Sequence, residues 1–165
     1  MHASIAAELR CWAKELGLDS ANVKIADVGS YNLNGAVKDI LPSAVGFDIL
    51  PGPGVDVVIA PGEIPDEDQG RYDVVVSISA LLFAPDPRTL CGEILDLLRP
   101  GGRAFVSTCA PSCTLEHTGP EGFPDRWRLA PEEIMAFFAP VAGEWRYSGP
   151  DDHRDIVITL EKPCG

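Results

Sequence analysis

The chain has 165 residues, 45% hydrophobic and 23% charged, which excludes a disordered or fibrous chain and gives room for one core, so residues 1–165 are expected to form one domain. Thirteen basic against 25 acidic side chains leave a formal net charge of −12, so a nucleic acid would meet net repulsion, and no apolar run approaches the ~20 residues of a membrane-spanning helix. Glu8, Arg10, Lys14 and Glu15 interrupt the amino-terminal segment where a secretory signal would be apolar, and the cysteines at 11, 91, 109, 113 and 164 lack framework spacing; a cytoplasmic protein with reduced thiols is expected.

Ile5, Leu9, Trp12 and Leu16 fall at i, i+4, i+7 and i+11, the apolar face of a covering helix within residues 1–20 that Gly17 closes. A β-prone run over 23–28 follows, then the polar bend 29–35 bounded by Gly29 and Gly35, then a short helix through Ile40. Residues 44–48 and 55–59 read as a second and third strand. Only residues 49–54 separate them, and six residues reach at most ~20 Å against the ~16 Å of a five-residue strand, which leaves no room for a crossover helix.

Residues 72–78 form a nearly continuous apolar run, as in a central strand covered on both faces. Asp86 then offers an N-cap with Pro87 in the first turn, Leu90, Ile94, Leu97 and Leu98 form a buried stripe, and Pro100-Gly101-Gly102 is expected to stop the helix. Residues 103–108 read as a fifth strand. The stretch 109–130, rich in proline and glycine, reads as a functional loop on the substrate side. Pro131 opens another helix with Ile134, Phe137 and Phe138 inward, and residues 144–148 and 155–161 suggest an antiparallel hairpin about a turn at 149–152. The pattern predicts an α/β protein with a Rossmann-like open sheet, mostly parallel, ending in an antiparallel hairpin, with helices on both faces.

In such sheets ligands bind beyond the carboxyl ends of the strands, near the switch in strand order. That nominates the bend after Asp27, where glycines permit close approach of a cofactor, and Asp48, twenty-one residues later, placed to accept both hydroxyl protons of a ribose. The pair points to an adenosine-type cofactor. The G-x-G-x-x-G of a dinucleotide site is absent, with only Gly29 and Gly35 at the relevant places, and no phosphate-binding G-x-x-x-x-G-K-[ST] occurs.

Four segments, at 26–35 (ADVGSYNLNG), 45–56 (VGFDILPGPGVD), 71–77 (RYDVVVS) and 98–102 (LRPGG), resemble in order the motifs of class I S-adenosylmethionine-dependent methyltransferases. The resemblance implies a seven-stranded, mostly parallel sheet with an antiparallel final strand, S-adenosyl-L-methionine as cofactor, and methyl transfer to a small-molecule acceptor. By it Asp27, Gly29, Ser30 and Gly35 line the methionine part of the cofactor, Asp48 takes the ribose, Tyr31 and Asn34 are neighbours, and Ser79 joins the cofactor set.

Two positions depart from that pattern. Family members often carry an acid after strand three for the adenine amino group, where this chain has Ala60-Pro61-Gly62, with Glu63 as a displaced substitute. After strand four, where relatives of similar layout often show Glu-His, residues 79–83 are apolar, with Leu82 and Phe83 facing the acceptor. A noncatalytic methyltransferase-fold protein with a binding or regulatory role is therefore the alternative, with an NAD-dependent enzyme behind it.

Methyl transfer from a sulfonium runs mainly on positioning, and a base is needed only where the acceptor keeps its proton. Glu116, His117 and Asp125 in the long loop are the available acids and bases, each also readable as a solvated loop residue. Residues 123–129 (FPDRWRL) resemble a Tyr-Trp-Arg-type segment on the substrate side of some relatives, so Trp127 with Arg126 or Arg128 would stack on a planar or anionic acceptor; the competing reading is a tryptophan that anchors the loop. Cys109, Cys113 and His117, spaced C-x3-C-x3-H, lack a fourth zinc ligand and read as incidental thiols, so no metal is expected. The expected partner is a small molecule, with no nucleic acid and no membrane; no oligomeric state is read from the sequence.

Overall fold

Among residues 1–20, 22–33, 35–119 and 122–165, which the computed structural model describes, seven strands share one sheet. They are β1 (Ile25–Val28), β2 (Val45–Asp48), β3 (Val57–Val58), β4 (Tyr72–Ile78), β5 (Leu98–Cys109), β6 (Gly143–Ser148) and β7 (Asp155–Glu161), in the order β3-β2-β1-β4-β5-β7-β6. Strands β1 to β5 pair in parallel, and β7 runs antiparallel to both β5 and β6. The chain winds outward from β1 to β3 and then returns to β4 on the other side of β1. The strand order therefore switches between β1 and β4, where an open α/β sheet leaves a crevice.

Two-residue alternation sorts the sheet side chains onto two covered faces. Ile25, Val74, Val76, Phe105 and Val157 pack with Ile5, Leu9 and Ala13 of α1 (Ala3–Leu16). Ala26, Val28, Val75, Ala104, Val106, Ile156 and Ile158 pack on the opposite face with Leu90, Cys91, Ile94 and Leu97 of α2 (Pro87–Leu97) and with Ile134 and Phe138 of α3 (Pro131–Phe138). Each large aliphatic side chain buried this way contributes roughly 1.5–3 kcal/mol. The helix expected near the amino terminus is α1; Trp12 lies 5.4 Å from Phe105, ring to ring, and Gly17, at φ 63°, ends the helix.

The short helix expected before Ile40 is a single 3-10 turn, Val37–Asp39, with Val37 and Leu41 buried against the α1 face. As the six-residue spacing predicts, no helix joins β2 to β3. Strand β3 is shorter than the expected 55–59, because only Val57 and Val58 come level with Phe47 and Asp48.

Helix α2 stops before Pro100-Gly101-Gly102 as expected, but Leu98, expected in its buried stripe, lies outside it. Helix α2 begins as expected, with the Asp86 side chain accepting from the N–H groups of Arg88 and Thr89, but it ends at Leu97 and Leu98 already pairs with Tyr72 in β5. At its end Lys162 Nζ donates to the carbonyls of Leu95 and Leu98, both at 2.7 Å, satisfying groups that a helix C-terminus leaves open. The Pro-Gly-Gly segment bulges between the pairs Leu98–Tyr72 and Arg103–Val74. It is stitched to Lys162 by backbone bonds from Gly101 N to Lys162 O and from Lys162 N to Gly102 O.

Candidate active site

At the carboxyl ends of β1, β2 and β4 the sheet opens into a cleft of about 410 Å³. Its floor is the bend after β1. Gly29 sits at φ 78°, in the left-handed region, and a Cβ there would fall 2.2 Å from the Ala80 Cβ, so only glycine lets the bend turn and lie against the segment after β4. The link between β2 and β3 supports the bend from below. Asn32 N–H donates to Pro53 O at 2.8 Å, and the Tyr31 ring lies so close over Gly52 that a Cβ would meet it at 2.2 Å. The Pro-Gly-Pro-Gly segment that leaves no room for a helix is thus a buttress for the bend after β1.

Asp48, 9% exposed at the end of β2, joins these pieces. Its Oδ2 accepts the N–H of Tyr31 and its Oδ1 the N–H of Leu50, each at 3.0 Å. A carboxylate has about four lone-pair sites, so both oxygens keep acceptor capacity where Asp48 lines the cleft. Asp27 is 4% exposed, lines the same cleft and has no hydrogen-bond partner among the described residues. Burial, and then the neighbouring Asp48 charge, push its carboxyl up to about 7. A buried acid without a partner is costly for a free protein and suits a site that receives a cationic ligand.

Gly35, Ser30 and Tyr31 also line the cleft. Gly35 faces open space, while Ser30 is buried against Gly46 with its Oγ lacking a partner. Asn34 lies outside the described residues. Ser79 lines the cleft at the end of β4 and is the non-glycine residue with positive φ, 60°, among the described residues; its N–H is held by Ser107 O at 2.8 Å. Such backbone strain persists where the surroundings fix it and gathers at functional sites.

At the β3 end, Glu63 is not among the lining residues, whereas Pro61 is. The carboxylate that reaches the cleft there is Glu93 of α2, 4% exposed, which accepts the Gly62 N–H at 2.6 Å. Burial raises its carboxyl despite that bond. In the sequence Glu93 is one polar position in an apolar helix stripe, and only the fold of residues 59–62 over α2 reveals it.

Leu82, Phe83, Glu116 and His117 also line the cleft. Asp125 stands behind His117, accepting its backbone N–H at 3.2 Å and lying 3.3 Å from its Nδ1. Burial works to raise the Asp125 carboxyl, yet the Arg128 guanidinium and the His117 N–H outweigh it and hold the group below the usual carboxylate range. Arg126 and Trp127 do not line the cleft. The Trp127 indole N–H donates to Ala84 O, and the Arg126 backbone N–H to Leu82 O, each at 2.8 Å, so this pair fastens the long loop to the turn after β4. The anchoring reading of Trp127 is the one its position supports.

Cys109 lies 4.0 Å from both ring nitrogens of His117, and burial pushes its thiol far up, which favours the neutral thiol. Among the described residues no group of three or more His, Cys, Asp or Glu is arranged to hold a metal ion. His2 carries no signal in the sequence. It lines the cleft from the start of α1, with its Nε2 3.5 Å from that of His117.

Residues 8–106 match the family model described as a methyltransferase domain. The chain belongs to the methyltransferase domain family. Among curated relatives of this domain, the ubiquinone biosynthesis O-methyltransferase of Erwinia tasmaniensis is 32% identical over 96 residues, 58% of this chain and 37% of the relative. That of Marinobacter nauticus is 32% identical over 93 residues, 56% of this chain and again 37% of the relative. The match thus spans little more than a third of these relatives' length.

Solved structures share the methyltransferase fold at low identity. A SAM-dependent methyltransferase of Thermotoga maritima, described as a possible histamine N-methyltransferase, superposes with a TM-score of 0.65 at 14% identity, covering 95% of this chain and 96% of that one. The Burkholderia thailandensis 1,6-didemethyltoxoflavin-N1-methyltransferase, solved with 1,6-didemethyltoxoflavin and S-adenosylhomocysteine bound, gives 0.65 at 17% identity, covering 92% of this chain and 74% of that one. No helix among the described residues is long and apolar enough to cross a membrane.

Proposed function

We propose that this methyltransferase domain, residues 1–165 working as one unit, binds S-adenosyl-L-methionine and directs methyl transfer to a small-molecule acceptor in the cytoplasm. The observation that carries this reading is the meeting of Asp27 and Asp48 with the glycine-bounded bend, in a cleft whose described lining residues include no lysine or arginine. Such a surface favours a ligand that carries positive charge and hydroxyl groups. The cofactor, when bound, supplies an electrophilic methyl group that no side chain can provide.

Asp27 meets the ammonium of the methionine part, and Gly29, Ser30 and Gly35 line its course. Asp48 accepts from the ribose hydroxyls, Tyr31 and Ser79 flank the sulfur end, and Glu93 with Pro61 borders the base in place of the acid missing at Ala60. Leu82 and Phe83 exclude water on the acceptor side, where His117, backed by Asp125, is the nearest proton acceptor. Support for a small acceptor comes from relatives named for ubiquinone biosynthesis and from the toxoflavin-type neighbour with its product cofactor. The acidic balance of the chain opposes a nucleic-acid acceptor. Five free cysteines, three of them buried, fit a reducing compartment.

A binding or regulatory role without turnover is the second reading, favoured by Ala60 and the apolar turn after β4. Calorimetric titration with S-adenosylmethionine, S-adenosylhomocysteine and NAD tests both. Binding of neither sulfur ligand removes the cofactor assignment, and binding of NAD alone replaces it.

A further inference from the structure

Among the described residues β6 is the last strand of the sheet and pairs with β7 alone. Its register with β7 is unbroken from Gly143 to Ser148, so half of its N–H and C=O groups point away from the sheet in a regular row. Proteins usually blunt such an edge with a proline, a bulge or a very short strand, and β6 has none of these. Gly143, Trp145 and Tyr147 stand opposite Leu160, Ile158 and Ile156, so they share the sheet face that carries α3. The Trp145 and Tyr147 rings meet edge to face, 5.3 Å between centroids, and both lie exposed. Glu144 and Arg146 occupy the other face, where Arg146 donates to Glu8 of α1 at 2.5 Å.

A second copy of the chain fits this edge in one register. Two identical strands pair antiparallel about a two-fold axis, and opposite residues must share a face, so the axis passes between one residue and its own counterpart. The centres that overlap β6 most are Trp145 and Arg146. Centring on Arg146 sets guanidinium against guanidinium. Centring on Trp145 places Glu144 of each protomer opposite Arg146 of its partner, so both ion pairs are attractive. In the same register Tyr147 of each protomer lies across from Gly143 of its partner, a bare edge position that an aromatic ring covers. The Arg146 fork has donors enough for its own Glu8 and for Glu144 of the partner.

We propose that β6 is a self-association edge, through which two copies of the chain join their seven-stranded sheets into one about a two-fold axis at Trp145. The contact is closed, because each copy uses its one β6 edge and offers no second. The net charge of −12 repels two copies at a distance, but at physiological salt that repulsion is screened beyond about 8 Å, while the Glu144–Arg146 attraction acts at contact. No residue of β6 lines the cleft, so both clefts of the pair stay open. A foreign strand would need the same alternation of acid, aromatic and base, which the chain's own edge supplies.

Sedimentation velocity of the full chain at about 0.15 M salt, over roughly 1 to 200 µM, tests this. The wild type is expected to pass from the mass of one chain to that of two over this range and to stop there. Glu144→Arg and Arg146→Glu each set like charges opposite each other at two places, and each is expected to weaken dimerisation about tenfold or more. Mixed in equal amounts, the two variants are expected to recover a dimer, because each offers the charges that the other lacks. Trp145→Lys, which puts two ammonium groups at the axis and leaves both ion pairs intact, is expected to stay a monomer. A wild type that stays monomeric or grows past two chains overturns the proposal. So does a dimer that Trp145→Lys or either charge variant leaves unchanged, or a mixture no tighter than the single variants. Circular dichroism reports the fold of each variant, and the wild type with Trp145→Lys decides if a charge variant fails to fold.

Discussion

The backbone N–H of Tyr31 donates to Asp48 Oδ2 at 3.0 Å, tying the bend after β1 to the end of β2. One carboxylate thereby shapes the bend and lines the cleft. Asp48→Ala is expected to weaken S-adenosylhomocysteine by at least ~1.5–3 kcal/mol and to lower stability as well, because the N–H groups of Tyr31 and Leu50 lose their acceptor. Asp48→Asn, which keeps one acceptor oxygen, should fall between. Calorimetry alongside urea unfolding separates the two effects, and an unchanged dissociation constant would take Asp48 out of the ribose site.

Asp27 sets a pH dependence whose sign is fixed by its raised pKa. The folded protein holds this proton up to about 7, against an ordinary value of 3.8, so the contribution is full below 3.8 and is lost as pH rises through about 7. Wild type should therefore lose stability relative to Asp27→Asn between pH 4 and pH 7, by an amount on the order of 4 kcal/mol, and the difference should level off above that. Urea midpoints of both proteins across this range check it. A constant difference would mean that Asp27 is ionised throughout.

Gly29 faces Ala80 too closely for a side chain. Gly29→Ala should cost about 2 kcal/mol or more, part from the left-handed backbone and part from the clash. Adding Ala80→Gly should recover the clash and leave the backbone cost, a coupling that a double-mutant cycle measures. Strict additivity would contradict the contact.

Trp127 anchors the long loop through Ala84 O. Trp127→Phe should lose about 1 kcal/mol of stability and speed hydrogen exchange in residues 109–119 and 122–130, with S-adenosylhomocysteine affinity unchanged. Loss of ligand affinity at unchanged stability would instead place the indole in the site.

The sequence was most legible where one local signal decides one element. Residues 72–78 are a nearly continuous apolar run and form β4 with those bounds, and Asp86 with Pro87 marks the start of α2. The end of α2 was legible only to within a residue or two, because Leu98 already pairs in β5 and the open carbonyls are met by Lys162, far along the chain. Asp27, Asp48 and the bend between them were legible because strand order alone brings them to one edge. His2 and Glu93 were not: His2 meets His117 across 115 residues, and Glu93 reaches the cleft only because Gly62 folds back over α2. Trp127 stayed open between a ligand surface and a loop anchor, because an aromatic between two arginines fits both until its indole N–H is seen donating to Ala84 O.

The most direct measurement is calorimetric titration of the wild-type chain with S-adenosylmethionine and S-adenosylhomocysteine, with NAD as the control. One site per chain is expected for each sulfur ligand and none for NAD. A chain that binds neither sulfur ligand, with its fold intact, would contradict it.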